Sequence, residues 1–261
     1  MPFSYDISSY IFLWVPLAAF FTWLISIRIY PVIIYVVTKK GLMDEPDKRS
    51  SHQNKTPTLG GVGMFLSFSV TLMLSGIIGE FSRSELISLI SVIASTTILL
   101  FLGIKDDLIV LAPKKKFLGQ IFAAAIVILL TDVRISTFNG ILGIGELPYI
   151  ISVLFTLCVF IIIVNAFNLT DGIDGLAGSI AGLTSLVFGI YFLSSGETLL
   201  ALVSFTLTGA IVGFLGYNFS DREKLFMGDS GSLFLGYLLA YQDICFVEVN
   251  SSLPVAYTIH L

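Results

Sequence analysis

Asparagine and aspartate residues cluster directly after one of the most apolar segments of this sequence. The stretch NAFNLTDGIDG covers 165–175 and places Asn168, Asp171 and Asp174 at intervals of three residues. Carboxylate and amide oxygens are hard ligands of the kind that Mg²⁺ takes in proteins. The spacing does not fit a calcium-binding EF-hand loop, because the position that requires glutamate is Gly182. Two Asp-Gly turns that close a helix are the simpler alternative.

A second acidic feature is the pair Asp106-Asp107 in GIKDDL, at the end of another apolar run. Adjacent carboxylates repel each other, and at a helix C-terminus they oppose the helix dipole. The pair therefore predicts a nearby cation, and two solvated loop acids are the alternative. The basic run Lys114–Lys116 follows. It predicts either a phosphate contact or a cluster that only fixes membrane orientation.

A third cluster is LFMGDSGSLFLG, residues 225–236. Asp229 is a candidate metal ligand, and the exposed amides at the start of the following helix are candidates for a phosphate oxygen. The alternative is that Asp229 is only a helix N-cap. Phe226 could stack on a nucleobase or anchor the chain at a membrane interface. In KTPTLGGVG, residues 55–63, the Gly60-Gly61 pair predicts a close backbone approach.

The elements that must position these residues are membrane spans. Of the 261 residues 56% are hydrophobic and only 12% charged, against about 25% charged in soluble domains. The mean hydropathy is +0.94. We therefore predict an all-α polytopic membrane protein that forms a single domain, residues 1–261. The eight apolar runs long enough to span lie at 11–37, 59–79, 86–104, 117–131, 149–167, 176–194, 198–217 and 230–247.

Two further features concern the loops. Eleven of the 14 Lys and Arg residues fall in alternate loops: 38–58, 105–116, 168–175 and 218–229. The positive-inside rule places these loops in the cytoplasm and the N-terminus outside. The opposite loop 132–148 contains Asn139-Gly140, a dipeptide that suits a tight turn, so we predict a small outer β-hairpin there.

Taken in this order, TPTLGG, KDD, NAFNLTDGIDGLAG and FMGDSGSLFLG resemble the polyprenyl-phosphate N-acetylhexosamine-1-phosphate transferases. The resemblance covers roughly residues 10–261. The family transfers a sugar-1-phosphate from a UDP-sugar to a polyprenyl phosphate and releases UMP. The resemblance favours the branch that uses UDP-GlcNAc and starts cell-envelope polysaccharide synthesis, in a bacterial inner membrane with the active site in the cytoplasm.

The resemblance also implies roles for individual residues. Asn168 and Asp229 would bind Mg²⁺, with Mn²⁺ as the alternative metal. The catalytic acids would be Asp106, Asp107, Asp171 and Asp174. The substrate-binding residues would be Lys55, Lys116, Asn165, Phe226 and Gly228. The implied partners are a UDP-N-acetylhexosamine, a polyprenyl phosphate and membrane lipid, without nucleic acid; a homodimer is left open.

The chain departs from this family at its end. A ninth apolar run begins at Leu253 and stops at Leu261, before the histidine-rich loop that the family carries. We therefore expect a C-terminally truncated member that is inactive or severely impaired. An inactive interaction protein is thus one alternative function. A membrane transporter is another, but its acids would lie near the middle of the spans.

Overall fold

The computed structural model describes residues 8–44 and 56–251. Its architecture over these residues is a bundle of eight α-helices. They are α1 (Ser8–Lys40), α2 (Gly60–Ile78), α3 (Arg83–Ile109), α4 (Pro113–Thr131), α5 (Tyr149–Thr170), α6 (Leu176–Ser194), α7 (Thr198–Asn218) and α8 (Gly228–Val249).

Each helix contains one of the eight predicted runs, apart from single residues at the edges of α2. Seven of the helices in the described part of the chain are long and apolar enough to cross a membrane. The exception is α4, because Lys114–Lys116 occupy its first turn and leave only 15 apolar-run residues, 117–131. The fold is that of a polytopic all-α membrane protein, as predicted.

The central element of the bundle is α8, which packs against α2, α3, α5 and α6. Glycines allow two of these helices to approach it closely. A Cβ atom on Gly61 of α2 would lie 2.1 Å from the backbone nitrogen of Gly231, and one on Gly103 of α3 would lie 2.4 Å from the Cα atom of Ser230. The close approach that was predicted at Gly60-Gly61 is therefore confirmed, and it places the start of α2 against the start of α8.

Short backbone pairings tie the loops together at this end of the bundle. Strands β1 (Met43–Asp44) and β2 (Thr56–Pro57) pair antiparallel. The Phe226 nitrogen donates to the Pro57 carbonyl at 2.9 Å, and the Gly60 nitrogen donates to the Phe226 carbonyl at 2.9 Å. These bonds hold the segment before α8 beside the entry to α2.

The loop 132–148, which we call the outer loop after its predicted orientation, turns where the sequence predicts it to turn. Asn139 and Gly140 have φ angles of 51° and 87°, the positive values that an Asn-Gly turn needs. A single isolated bridge joins Thr137 to Glu146, and a short 3₁₀ turn follows Gly140. The loop therefore doubles back, but no regular strand pair forms among these described residues. The predicted ninth run, at 253–261, lies outside the described residues.

Candidate active site

An open cavity of about 700 Å³ lies at the end of the bundle where α1, α3, α5 and α7 end and α6 and α8 begin. All the loops that carry the predicted site residues reach it. It is lined by Gly41, Leu42, Met43, Thr58, Asp107, Leu108, Asn168, Asp171, Gly172, Ile173, Asp174, Asn218, Phe226, Met227, Gly228 and Asp229. The structure thus brings together acidic clusters that are up to 122 positions apart in the sequence.

Asp107 caps the N-terminus of α8. Its two carboxylate oxygens accept hydrogen bonds from the backbone nitrogens of Asp229, at 2.7 Å, and Ser230, at 3.1 Å. A carboxylate is favourable at this position because the N-terminal end of a helix carries partial positive charge. Two sequence-based interpretations are corrected by this contact. Asp229 is not the N-cap, and its backbone amide and that of Ser230 already have an acceptor and are not open to phosphate.

Asp106 points to a different partner from its neighbour in sequence. It is buried, and it accepts a hydrogen bond from the backbone nitrogen of Leu111 at 2.5 Å. The Lys116 ammonium lies 2.8 Å from Asp106 and 3.0 Å from Asp229, so one lysine serves two carboxylates. The cation that the Asp106-Asp107 pair predicted is therefore, for Asp106, a lysine of the same chain.

The two predicted metal ligands contact each other. The Asn168 side-chain nitrogen donates to Asp229 Oδ1 at 2.5 Å and to Ser232 Oγ at 2.6 Å. Asn168 lies in the last turn of α5, and Asp229 lies in the first turn of α8. Rotating the Asn168 amide by 180° would turn its oxygen toward the same position, since the oxygen and nitrogen of an amide are nearly isosteric.

The cavity carries an excess of negative charge. Four carboxylates line it, and no Lys or Arg is among its lining residues within the described part of the chain. Burial, followed by the charges of Asp229, Asp107 and Asp174, raises the pKa of Asp171 to about 7. Asp171 follows α5 directly, outside the helical span. The like charges of these neighbouring acids thus add to the effect of burial on the pKa of Asp171.

With the Asn168 amide rotated, Asn168 and Asp229 are candidates to hold a magnesium ion. No three His, Cys, Asp or Glu side chains converge as a ready metal site within 8–44 and 56–251. Asn168 and Asp229 offer two hard oxygen ligands, and the neighbouring acids supply further negative charge. Mg²⁺ in nucleotide-processing sites uses such a set, because it keeps several waters and takes substrate phosphate oxygens as further ligands.

Asp174, Phe226 and Gly228, to which the resemblance gave catalytic or substrate-binding roles, also line the cavity. Asp174 is exposed and forms an ion pair with Lys224. The Lys224 ammonium also lies 5.8 Å from the centroid of the Phe226 ring. Gly228 has a φ angle of 72°, and a Cβ atom there would lie 2.7 Å from an oxygen of Asp107. A side chain at position 228 would thus disturb the contact between Asp107 and α8.

Besides Lys116, two predicted substrate-binding residues are not among the described residues that line the cavity. Asn165 is not among the lining residues described, because its side chain faces Gln120 of α4. Lys55 lies outside the described residues. The roles assigned to both residues stay predictions.

The sequence interpretation also missed three residues of this region. Asn218 lines the cavity, accepts from the Gly175 nitrogen at 2.6 Å and donates to the Leu225 carbonyl at 2.9 Å. The other two are Ser232 and Gln120. A lone polar residue in or at the end of an apolar run was the only signal for Asn218 and Gln120.

Comparisons with known proteins identify the family of this chain. The sequence pattern of glycosyl transferase family 4 matches residues 89–247. A Bacillus subtilis protein, named a probable undecaprenyl-phosphate N-acetylglucosaminyl 1-phosphate transferase, is 32% identical over 85% of the chain and 60% of the relative. The decaprenyl-phosphate N-acetylglucosaminephosphotransferase of Mycobacterium tuberculosis is 32% identical over 78% of the chain and 54% of the relative.

These two relatives are considerably longer than the part that the chain matches, since it spans only 54–60% of their length. The phospho-N-acetylmuramoyl-pentapeptide-transferase of Staphylococcus aureus is 31% identical over 88% of the chain and 74% of the relative. The family pattern covers more than half of the 261 residues. The chain therefore belongs to glycosyl transferase family 4.

Proposed function

We propose that this protein transfers a sugar-1-phosphate, GlcNAc-1-phosphate in our assignment, from a UDP-sugar to a polyprenyl phosphate and releases UMP. The observation that carries the proposal is the cavity in which Asn168 and Asp229 meet beside Asp107 and Asp171. An acidic, open cavity at one end of a membrane-embedded bundle suits a divalent cation that binds a soluble anionic donor, beside a lipid-bound acceptor. The names of the relatives support the same substrate classes.

The reaction is a phosphoryl transfer. An oxygen of the lipid phosphate forms a bond to the β-phosphorus of the UDP-sugar, and the bond from that phosphorus to the bridging oxygen breaks. UMP leaves with the electron pair of the broken bond. The second pKa of a phosphate monoester is about 6, so most of the acceptor is already ionised at neutral pH. A strong general base is therefore not required, and Asp106 and Asp107 act by positioning.

In this proposal Asn168 and Asp229 hold Mg²⁺, with Mn²⁺ as the alternative. The metal would clamp the diphosphate and neutralise charge that develops in the transition state. Asp107 fixes the first turn of α8, on which Asp229 lies. Lys116 reduces repulsion between Asp106 and Asp229. The Phe226 ring, at the cavity wall, offers a face on which uracil would stack.

The direct test is turnover by the purified 261-residue chain in detergent, with labelled UDP-GlcNAc, polyprenyl phosphate and Mg²⁺. Any UMP that the chain releases should require the metal and the lipid, and turnover should be lower with UDP-MurNAc-pentapeptide. A preference for the pentapeptide donor would refute the sugar assignment. Absence of release with every donor, from a folded chain, would favour an inactive family member.

We also propose that the cavity faces the cytoplasm of a bacterial cell, as part of cell-envelope polysaccharide synthesis. The support is the concentration of Lys and Arg in the loops at this end. Single cysteines at Lys115 and Gly140, in a chain whose native Cys158 and Cys245 are replaced by alanine, test the orientation. An impermeant thiol reagent on intact cells should label position 140 only. Labelling of position 115 would reverse the proposed topology.

A further inference from the structure

A pair of side-chain amides joins α4 to α5, further into the bundle than the residues that contact Asp229. The Asn165 side-chain nitrogen donates to Gln120 Oε1 at 2.8 Å, and the Gln120 side-chain nitrogen donates to Asn165 Oδ1 at 3.3 Å. Gln120 is only 2% exposed. The pair is reciprocal, because each amide offers a donor opposite the acceptor of the other. In apolar surroundings such an interhelical pair fixes the position of one helix along the other.

The amide pair lies about one helical turn from Lys116 on α4 and from Asn168 on α5. Gln120 follows Lys116 by four positions, which places them on one face of α4 at a rise of about 6 Å. Asn165 precedes Asn168 by three positions on α5, a rise of about 4.5 Å. Lys116 contacts Asp229, and Asn168 contacts the same carboxylate. The two helices thus share two connections, one through the amides and one through Asp229.

We infer that the Gln120–Asn165 pair is a positioning element that sets the register of α4 against α5 and so holds Lys116 between Asp106 and Asp229. A slide of α4 by one residue would move Lys116 by about 1.5 Å, which would break its contacts of 2.8 and 3.0 Å. Neither amide is among the described residues that line the cavity. The pair is therefore assigned to act through Lys116, and this assignment replaces the substrate contact that the resemblance implied for Asn165.

The first test reads the position of Lys116 without any turnover. Lys114 and Lys115 are exposed, whereas Lys116 is half-buried in its ion pairs, so the neighbours are internal references for amine acylation. Gln120→Met keeps the size of the side chain and removes the amide. We expect the acylation of Lys116 relative to Lys115, measured by mass spectrometry, to rise about tenfold, as for the loss of one charge-assisted hydrogen bond.

The matched control makes the same chemical change elsewhere in the bundle. Gln242 of α8 is fully buried and donates to Ser185 Oγ at 3.0 Å, remote in sequence from Lys116. Gln242→Met should leave the relative acylation of Lys116 unchanged. The exchanged double variant Gln120→Asn/Asn165→Gln keeps both amides and their summed length, and it should restore protection. Equal acylation in Gln120→Met and Gln242→Met would overturn the inference, as would an exchanged variant that is folded but unprotected.

The consequence for catalysis rests on the proposed function. For UMP release we expect Gln120→Met to lower kcat about 10- to 100-fold, the cost of a misplacement of about 1 Å. KM for the UDP-sugar should stay within about twofold, because the pair does not line the cavity. A rise in KM with unchanged kcat would contradict the positioning role. If the unsubstituted chain releases no UMP, the proposed function fails, whereas the acylation comparison still decides the inference.

Discussion

The two ends of α8 carry similar acidic residues in different surroundings. At the cavity end Asp229 shares one lysine with Asp106 and faces the acidic wall of the cavity. At the other end Glu248 accepts hydrogen bonds from the backbone nitrogen and the hydroxyl of Ser136, at 3.1 Å and 2.7 Å. One end therefore concentrates negative charge, and the other uses its carboxylate to fasten a loop.

The outer loop shows the same pattern of satisfied charge. Arg134 pairs with Asp132 at 2.9 Å, donates to Ser152 at 3.0 Å, and lies over the ring of Tyr149. At the cavity end Lys116 lies between two carboxylates, and Lys224 pairs with Asp174. Two further acids, Asp107 and Asp171, line the wall and form no ion pair within the described part of the chain. Residue type alone does not separate a structural acid from a functional one. The partners of each acid separate the two kinds, because a cluster of carboxylates without enough paired cations favours the binding of an added cation.

The largest effect should come from Asp229→Ala. It removes a proposed metal ligand. We expect the rate of UMP release to fall about 1000-fold or more, because the metal would no longer stabilise the transition state of phosphoryl transfer. Asp132→Ala is the control at the other end, because it removes an exposed carboxylate from a surface ion pair. UMP release by Asp132→Ala should stay within about twofold of the unsubstituted chain. Full turnover by Asp229→Ala would remove Asp229 from the metal site.

The sequence was sufficient to locate the helices, because membrane spans are long and continuously apolar. It also identified the carboxylates that line the cavity, since Asp107, Asp171, Asp174 and Asp229 all follow or precede such runs at the same end. Polar residues at the ends of long apolar segments are easy to recognise in a sequence. The turn at Asn139-Gly140 was also predictable from the sequence, because few dipeptides accept two positive φ angles.

The side-chain partners could not be predicted in the same way. Asp107 accepts hydrogen bonds from Asp229 and Ser230, which lie 122 and 123 positions further along the chain. Asn165 is hydrogen-bonded to Gln120, 45 positions before it. These pairings depend on which helices are neighbours. In a membrane bundle the buried and lipid-facing sides are both apolar, so the sequence does not show which face of a helix turns inward. The roles of Gln120 and Asn218 were missed for this reason.

The next effect in size concerns packing at the cavity end. Gly61→Ala would place a methyl group 2.1 Å from the backbone nitrogen of Gly231, so α2 and α8 must separate. We expect the free energy of unfolding to fall by about 3 kcal/mol. Gly140→Ala in the outer loop has no atom within 4 Å of the new methyl group and should cost only about 1 kcal/mol, through its positive φ angle. Thermal unfolding in detergent compares the two, and equal losses would show that the α2–α8 contact is not tight.

The smallest effect should follow the loss of the Glu248 carboxylate. Glu248→Ala leaves the Ser136 nitrogen and hydroxyl without their acceptor, so the outer loop loses its attachment to α8. We expect the free energy of unfolding to fall by about 2 kcal/mol. Ser136→Ala should cost about 1 kcal/mol, because its backbone nitrogen can still donate to Glu248. UMP release should change by less than about twofold in both variants, because this loop joins the opposite end of α8. A tenfold loss of turnover at unchanged stability would mean that the outer end of α8 controls the cavity, and the division between the two ends would then be wrong.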